Sequence, residues 1–175
     1  MELFSYLNEQ SSLKDIVIRD MDRYQHFMAL TENVMRGESE LSISERELIA
    51  AFVSGLNDCS YCYNSHKLVA TEFGVDETLL ESLLSDINNS ATNDKLKPIF
   101  HFVKKLTQSP SKIVNDDAQK VFNNGWSEQA LSDAIAVCSL FNFANRIVDG
   151  HGIKGNKMIY EIGAKLMVAN GYSIK

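Results

Sequence analysis

The sequence predicts an all-α fold, a compact helical bundle, and three observations predict it. Apolar residues recur with helical period through nearly every segment, no run alternates convincingly as a strand, and only two prolines interrupt the chain. The 175 residues suffice for one well-packed domain and are few for two, so a single helical domain over residues 1–175 is expected.

Taken in order, "SSLKDIVIRDMDRYQHFMALTENVMRG" reads as one long amphipathic helix, with Ser12 and Asp15 at its start and Gly37 as its stop. "SISERELIAAFVSG" opens with Ser44 and Glu47 at capping-box spacing and ends at Gly55. Asn57 or Asp58 then offers a new N-cap, and the next helix runs through "CSYCYNSH" to Gly74. "VDETLLESLLSDI" is a short helix and "NNSATNDK" a polar loop. "LKPIFHFVKKLTQ" is helical up to the break at "SPSK", and "NDDAQKVFNN" is helical again. "SEQALSDAIAVCSLFNFANRIVD" is long and apolar enough to be a core helix, "GHGI" punctuates, and "NKMIYEIGAKLMVANG" closes the chain. A faint internal echo sets "SERELIAA" against "SEQALSDA", which places Cys59, Cys62 and His66 opposite Asn142, Asn145 and Asp149. That register suggests a duplicated helical hairpin.

Composition narrows the function classes. With 45% hydrophobic and 23% charged residues the chain has the mixture of a soluble globular protein. A net charge of -6 without a Lys/Arg cluster gives no footprint for nucleic acid. The N-terminus lacks the basic start and apolar run of a secretory signal, and no stretch approaches the length needed to span a bilayer. A cytoplasmic location is therefore expected, where thiols stay reduced and a cysteine pair serves catalysis or metal binding. Three cysteines are also a poor basis for a disulfide framework.

The chemistry concentrates at residues 59–66. On one helix, Cys59, Cys62 and His66 fall within about 60° of arc and share a face. Near a helix start, unpaired N–H groups and the dipole favour a thiolate, and His66 lies one turn beyond Cys62 to exchange a proton. A CxxC in that position can close to a disulfide and reopen. Glu47 enters through geometry. In one continuous helix it would lie about 28 Å from His66, whereas a chain reversal at "SGLND" puts both about 12 Å from the turn and level with each other. The carboxylate could then orient the imidazole.

Glu47, eleven residues, then Cys59-Ser-Tyr-Cys62-Tyr-Asn-Ser-His66 resembles the motif of the alkylhydroperoxidase D-like branch of the carboxymuconolactone decarboxylase family. The likeness extends through "FMALTENVMRGESELSISERELIAAFVSGLNDCSYC" and "FNFANRIVDGHGI", roughly residues 24–153. The resemblance implies an all-helical fold, homo-oligomers from trimers to hexamers, and reduction of a hydroperoxide substrate in antioxidant defence. It implies Cys62 as the peroxidatic thiol, Cys59 as the resolving thiol and Glu47 and His66 as the proton relay. The redox-active disulfide would be Cys59–Cys62, with no bound cofactor and recharging by an external dithiol such as a lipoyl group on a reductant protein. One position departs from the pattern, because Tyr61 stands where some members carry a second histidine.

Two other classes compete. A metal-binding structural module could use both thiols and His66, with Glu47, His101 or His151 as fourth ligand. A non-catalytic redox sensor could couple the disulfide to its oligomeric state. Among bland roles, Glu47 alone would be a capping residue, Cys138 an inert core thiol, and Arg146 with Asp149 or with a neighbour's carboxylate a buried structural pair, its alternative being a wall of the active site. The apolar segments Ala130 to Val148 and "HFMALTENVM" suggest a subunit contact, with Ile49, Phe52 and Val53 close to it.

Overall fold

The computed structural model describes residues 3–173, and these contain nine α-helices, one short 3₁₀ turn at Pro110–Lys112 and no strand. The helices are α1 (Leu13–Arg19), α2 (Met21–Arg36), α3 (Ile43–Leu56), α4 (Ser60–Glu72) and α5 (Leu79–Ser85) in the first half. The second half holds α6 (Lys97–Gln108), α7 (Asn115–Asn123), α8 (Glu128–Gly150) and α9 (Lys157–Asn170). The all-α expectation holds, with corrections at several boundaries.

The long first helix is two. Ser12 and Asp15 form the expected capping box of α1, but the chain bends at Asp20, whose carboxylate accepts the Arg23 N–H and caps α2 instead. A side chain that competes for backbone donors has converted helix interior into a helix start. The box of α3 is built by Ser42 and Glu45, two residues earlier than Ser44 and Glu47. That shift frees Glu47 for the interior. Ser127 and Asn156 cap α8 and α9 through their side chains. Gly74 and Gly171 stop α4 and α9 with positive φ, conformations that glycine adopts without steric cost.

α3 and α4 form an antiparallel hairpin at the centre of the molecule, α9 lies along α4, and α8 packs on α3 and α6. The main core joins Met35, Ile49, Phe52, Leu83, Phe100 and Val137 across α2, α3, α5, α6 and α8. A smaller cluster gathers Leu7, Ile16, Val17, Tyr24, Val148 and Ile153 around Cys59 and Cys62. The two thiols thus sit on the seam between core and N-terminal helices. α8 amends the membrane expectation: by length and composition it could cross a bilayer, yet half of its most apolar window is buried in this core. α8 also runs unbroken where α3 ends and turns, so the internal echo does not continue into a second hairpin.

Candidate active site

The reversal between α3 and α4 is the local event that builds the site. Asp58 takes φ +56°, the left-handed conformation a short polar side chain tolerates, and Cys59, not Asn57 or Asp58, is the N-cap of α4. The Cys59 N–H donates back to the Ser54 carbonyl at 3.0 Å, which folds the turn tightly. Asn57 is occupied elsewhere. Its amide donates to Asn145 Oδ1 at 2.9 Å and Asn142 Oδ1 at 3.1 Å, and Asn145 in turn donates to Ser54 Oγ at 3.0 Å. Two asparagines of α8 therefore clamp the turn, the positions the internal echo set opposite the cysteines.

The reversal brings Glu47 and His66 together. His66 Nδ1 lies 2.8 Å from Glu47 Oε2, both side chains being buried. Two groups not anticipated from sequence complete the carboxylate's shell. Arg36 Nη1 donates to Glu47 Oε1 at 2.7 Å, and the Tyr172 hydroxyl donates to the same oxygen at 2.7 Å. Burial pushes the Glu47 carboxyl upward, but His66, Arg36 and Tyr172 outweigh it and hold Glu47 below the ordinary carboxylate range. The Tyr172 phenol moves the opposite way, raised by burial and by the Glu47 charge. His66 is fixed as well by its neighbours, with Phe141 edge-on at 4.4 Å and Tyr172 stacked at 6.1 Å between centroids.

The thiols are buried and unbridged, and they differ in access. Cys62, Ser65 and His66 line a cavity of about 860 Å³, whereas Cys59 lies behind them. Its other walls are mainly apolar, including Val17, Phe27, Leu140, Phe141 and Ile162. The side-chain hydrogen bond with Cys62, and then burial, raise the Cys59 thiol well above its usual value. Tyr61 also borders the cavity, its oxygen accepting the Leu13 N–H at 3.4 Å, and burial pushes its phenol up to about 12. Tyr61 is no substitute base.

Other candidates lie apart. His101 Nε2 pairs with Asn88 Oδ1, and His151 stacks on Phe4 and bonds to the Ile147 carbonyl. Among the described residues no group of three or more His, Cys, Asp or Glu side chains converges as a metal site would require. Cys138 is a core thiol beside Thr107. Arg146 is exposed and bonds to Asn142, which corrects the expectation of a buried pair with Asp149. Arg36 and Tyr172 were hidden in sequence for simple reasons. An arginine in a helix's last turn reads as a dipole partner, and a tyrosine beyond the last helix reads as tail.

Residues 22–87 match the carboxymuconolactone decarboxylase family, a span that contains Arg36, Glu47, both cysteines and His66. The uncharacterized protein YdfG of Bacillus subtilis is 24% identical over 131 residues, which cover 75% of this chain and 82% of that one. Among solved structures, an uncharacterized peroxidase-related protein from Silicibacter sp. superposes with a TM-score of 0.78 at 25% identity, over 85% of this chain and 78% of that one. The alkylhydroperoxidase AhpD core of a peroxidase-related protein from Ralstonia eutropha gives a TM-score of 0.79 at 18% identity, over 87% and 80%. The chain thus carries a segment that matches the carboxymuconolactone decarboxylase family, within a fold that it shares with the two peroxidase-related structures.

Proposed function

We propose that this protein is a thiol-dependent hydroperoxidase that uses Cys59 and Cys62 as a redox pair. The observation that carries this reading is the asymmetry of the thiols. Cys62 faces the cavity in the first turn of α4, one turn before His66, while Cys59 is enclosed behind it. The family and the peroxidase-related neighbours support the same class.

In the first step, His66 Nε2 takes the Cys62 thiol proton, and Glu47 accepts from the Nδ1–H of the resulting imidazolium. The Cys62 thiolate attacks the terminal peroxide oxygen. The O–O bond breaks, the alkoxide leaves with the proton returned by His66, and Cys62 becomes a sulfenic acid. The Cys59 thiol then condenses with it, releasing water and forming the Cys59–Cys62 disulfide. An external dithiol, of lipoyl type, returns the pair to thiols by two exchanges. The apolar walls suit an organic hydroperoxide. The protein would act in the cytoplasm as a closed homo-oligomer, trimer or hexamer.

Turnover with cumene hydroperoxide and dihydrolipoamide tests the scheme. Cys62→Ser should abolish turnover, and Cys59→Ser should leave a sulfenic acid on Cys62 that dimedone traps. Normal turnover in Cys62→Ser would remove the assignment.

A further inference from the structure

We infer that Tyr172, assisted by Arg36, is a positioning residue that locks His66 as the Nδ1–H tautomer and so leaves its Nε2 free to act as base. The inference deepens the proposed redox chemistry and rests on it only for the identity of the thiol that His66 serves. It begins with counting protons. An ionised carboxylate has none to give, so the 2.8 Å contact between Glu47 Oε2 and His66 Nδ1 requires the proton to sit on Nδ1. The Tyr172 hydroxyl has one proton. It goes to Glu47 Oε1 at 2.7 Å, leaving the phenol oxygen, 3.2 Å from Nδ1, as a second acceptor for the imidazole N–H. Both contacts favour the same tautomer.

Arg36 makes the arrangement rigid. Its Nη1 holds Glu47 Oε1 at 2.7 Å and its Nη2 donates to the Met167 carbonyl of α9 at 3.2 Å, so one guanidinium ties the carboxylate to the helix that delivers Tyr172. The guanidinium also covers the Tyr172 ring, 4.8 Å from its centroid. Tyr172 itself is placed by the left-handed Gly171 and by its backbone N–H on the Glu32 carboxylate. Gly171 holds φ +65°, a conformation that other residues adopt only with strain, so the approach depends on glycine. Glu47, fully buried, thus has every contact it needs on one side and presents His66 from the other.

Two readouts test this without peroxide. In a Cys59→Ser, Cys138→Ser background, iodoacetamide alkylation of Cys62 is followed against pH, and nitrogen NMR of labelled histidine reports the His66 tautomer. The unsubstituted protein should show a protonated Nδ1 and a bare Nε2 in the neutral ring. Tyr172→Phe keeps the ring and its packing, and should mix the tautomers and slow alkylation at neutral pH by roughly fivefold, the loss expected for one hydrogen bond. Arg36→Lys should give a smaller change in the same direction. A protonated Nε2 in the unsubstituted protein would overturn the inference, whatever the variant's stability. So would an unchanged tautomer and alkylation profile in folded Tyr172→Phe. If the tautomer and alkylation respond as stated but no hydroperoxide is turned over, the peroxidase reading fails and this one stands.

Discussion

At the scale of single residues, the decisive event is the burial of Glu47. A carboxylate fully out of water costs several kcal/mol unless donors replace its hydration, and here Arg36, Tyr172 and His66 supply three. Removing the charge strands Arg36, whose side chain is 12% exposed. Glu47→Gln should therefore lower the unfolding free energy by about 3 kcal/mol at neutral pH, measured by urea denaturation. The pH dependence has a definite sign. Glu47 is held below its ordinary value in the folded state, so the unfolded chain binds more protons through the acidic range and stability rises with pH there. The contribution is complete above the ordinary carboxyl range and disappears as pH falls through the lowered folded value. The gap between Glu47→Gln and the parent should accordingly narrow on acidification; a gap that stays constant down to acid would show that Glu47 is not ionised in the folded protein.

At the scale of elements, the α3–α4 turn decides whether the site exists at all. Its geometry is held by a buried amide network in which Asn145, 1% exposed, both accepts from Asn57 and donates to Ser54. Asn145→Ala would leave those partners unsatisfied and should cost about 1–3 kcal/mol, with faster hydrogen exchange confined to residues 54–59 and their neighbours. Equal exchange across that turn in the variant would contradict the clamp. The break itself was legible, because "SGLND" interrupts an otherwise helical pattern and only a reversal can bring Glu47 level with His66. Which residues cap the helices was less so. Ser42 and Ser44 both precede acidic residues at the right spacing, and the choice of Ser42 follows from Glu47 being drawn inward by Arg36 and His66, a tertiary preference that no local pattern records. The bend at Asp20 escaped for the converse reason, since the apolar period continues across it.

At the scale of the whole molecule, the exposed apolar surface lies only in part where the sequence suggested. Ile49, Phe52 and Val53 are fully buried in the chain's own core, so those three do not face a partner, whereas Leu30 of α2 and Phe143 of α8 remain exposed. Period shows that a face is apolar without saying what covers it. A regular apolar stripe is exposed on α9, along the rim of the cavity. Met158, Ile162 and Leu166 recur every fourth residue, each is more than half exposed, and Ala164 is the only buried residue of that helix. An amphipathic helix gains little stability from propensity alone and needs its apolar stripe covered. A second copy of the chain would cover it, in keeping with the homo-oligomer proposed above. Light scattering at micromolar concentration should give a multiple of the 19.6 kDa chain mass, and Ile162→Glu with Leu166→Glu should return the protein to one chain. A mass near 19.6 kDa for the unsubstituted protein across a hundredfold dilution would sink the assembly.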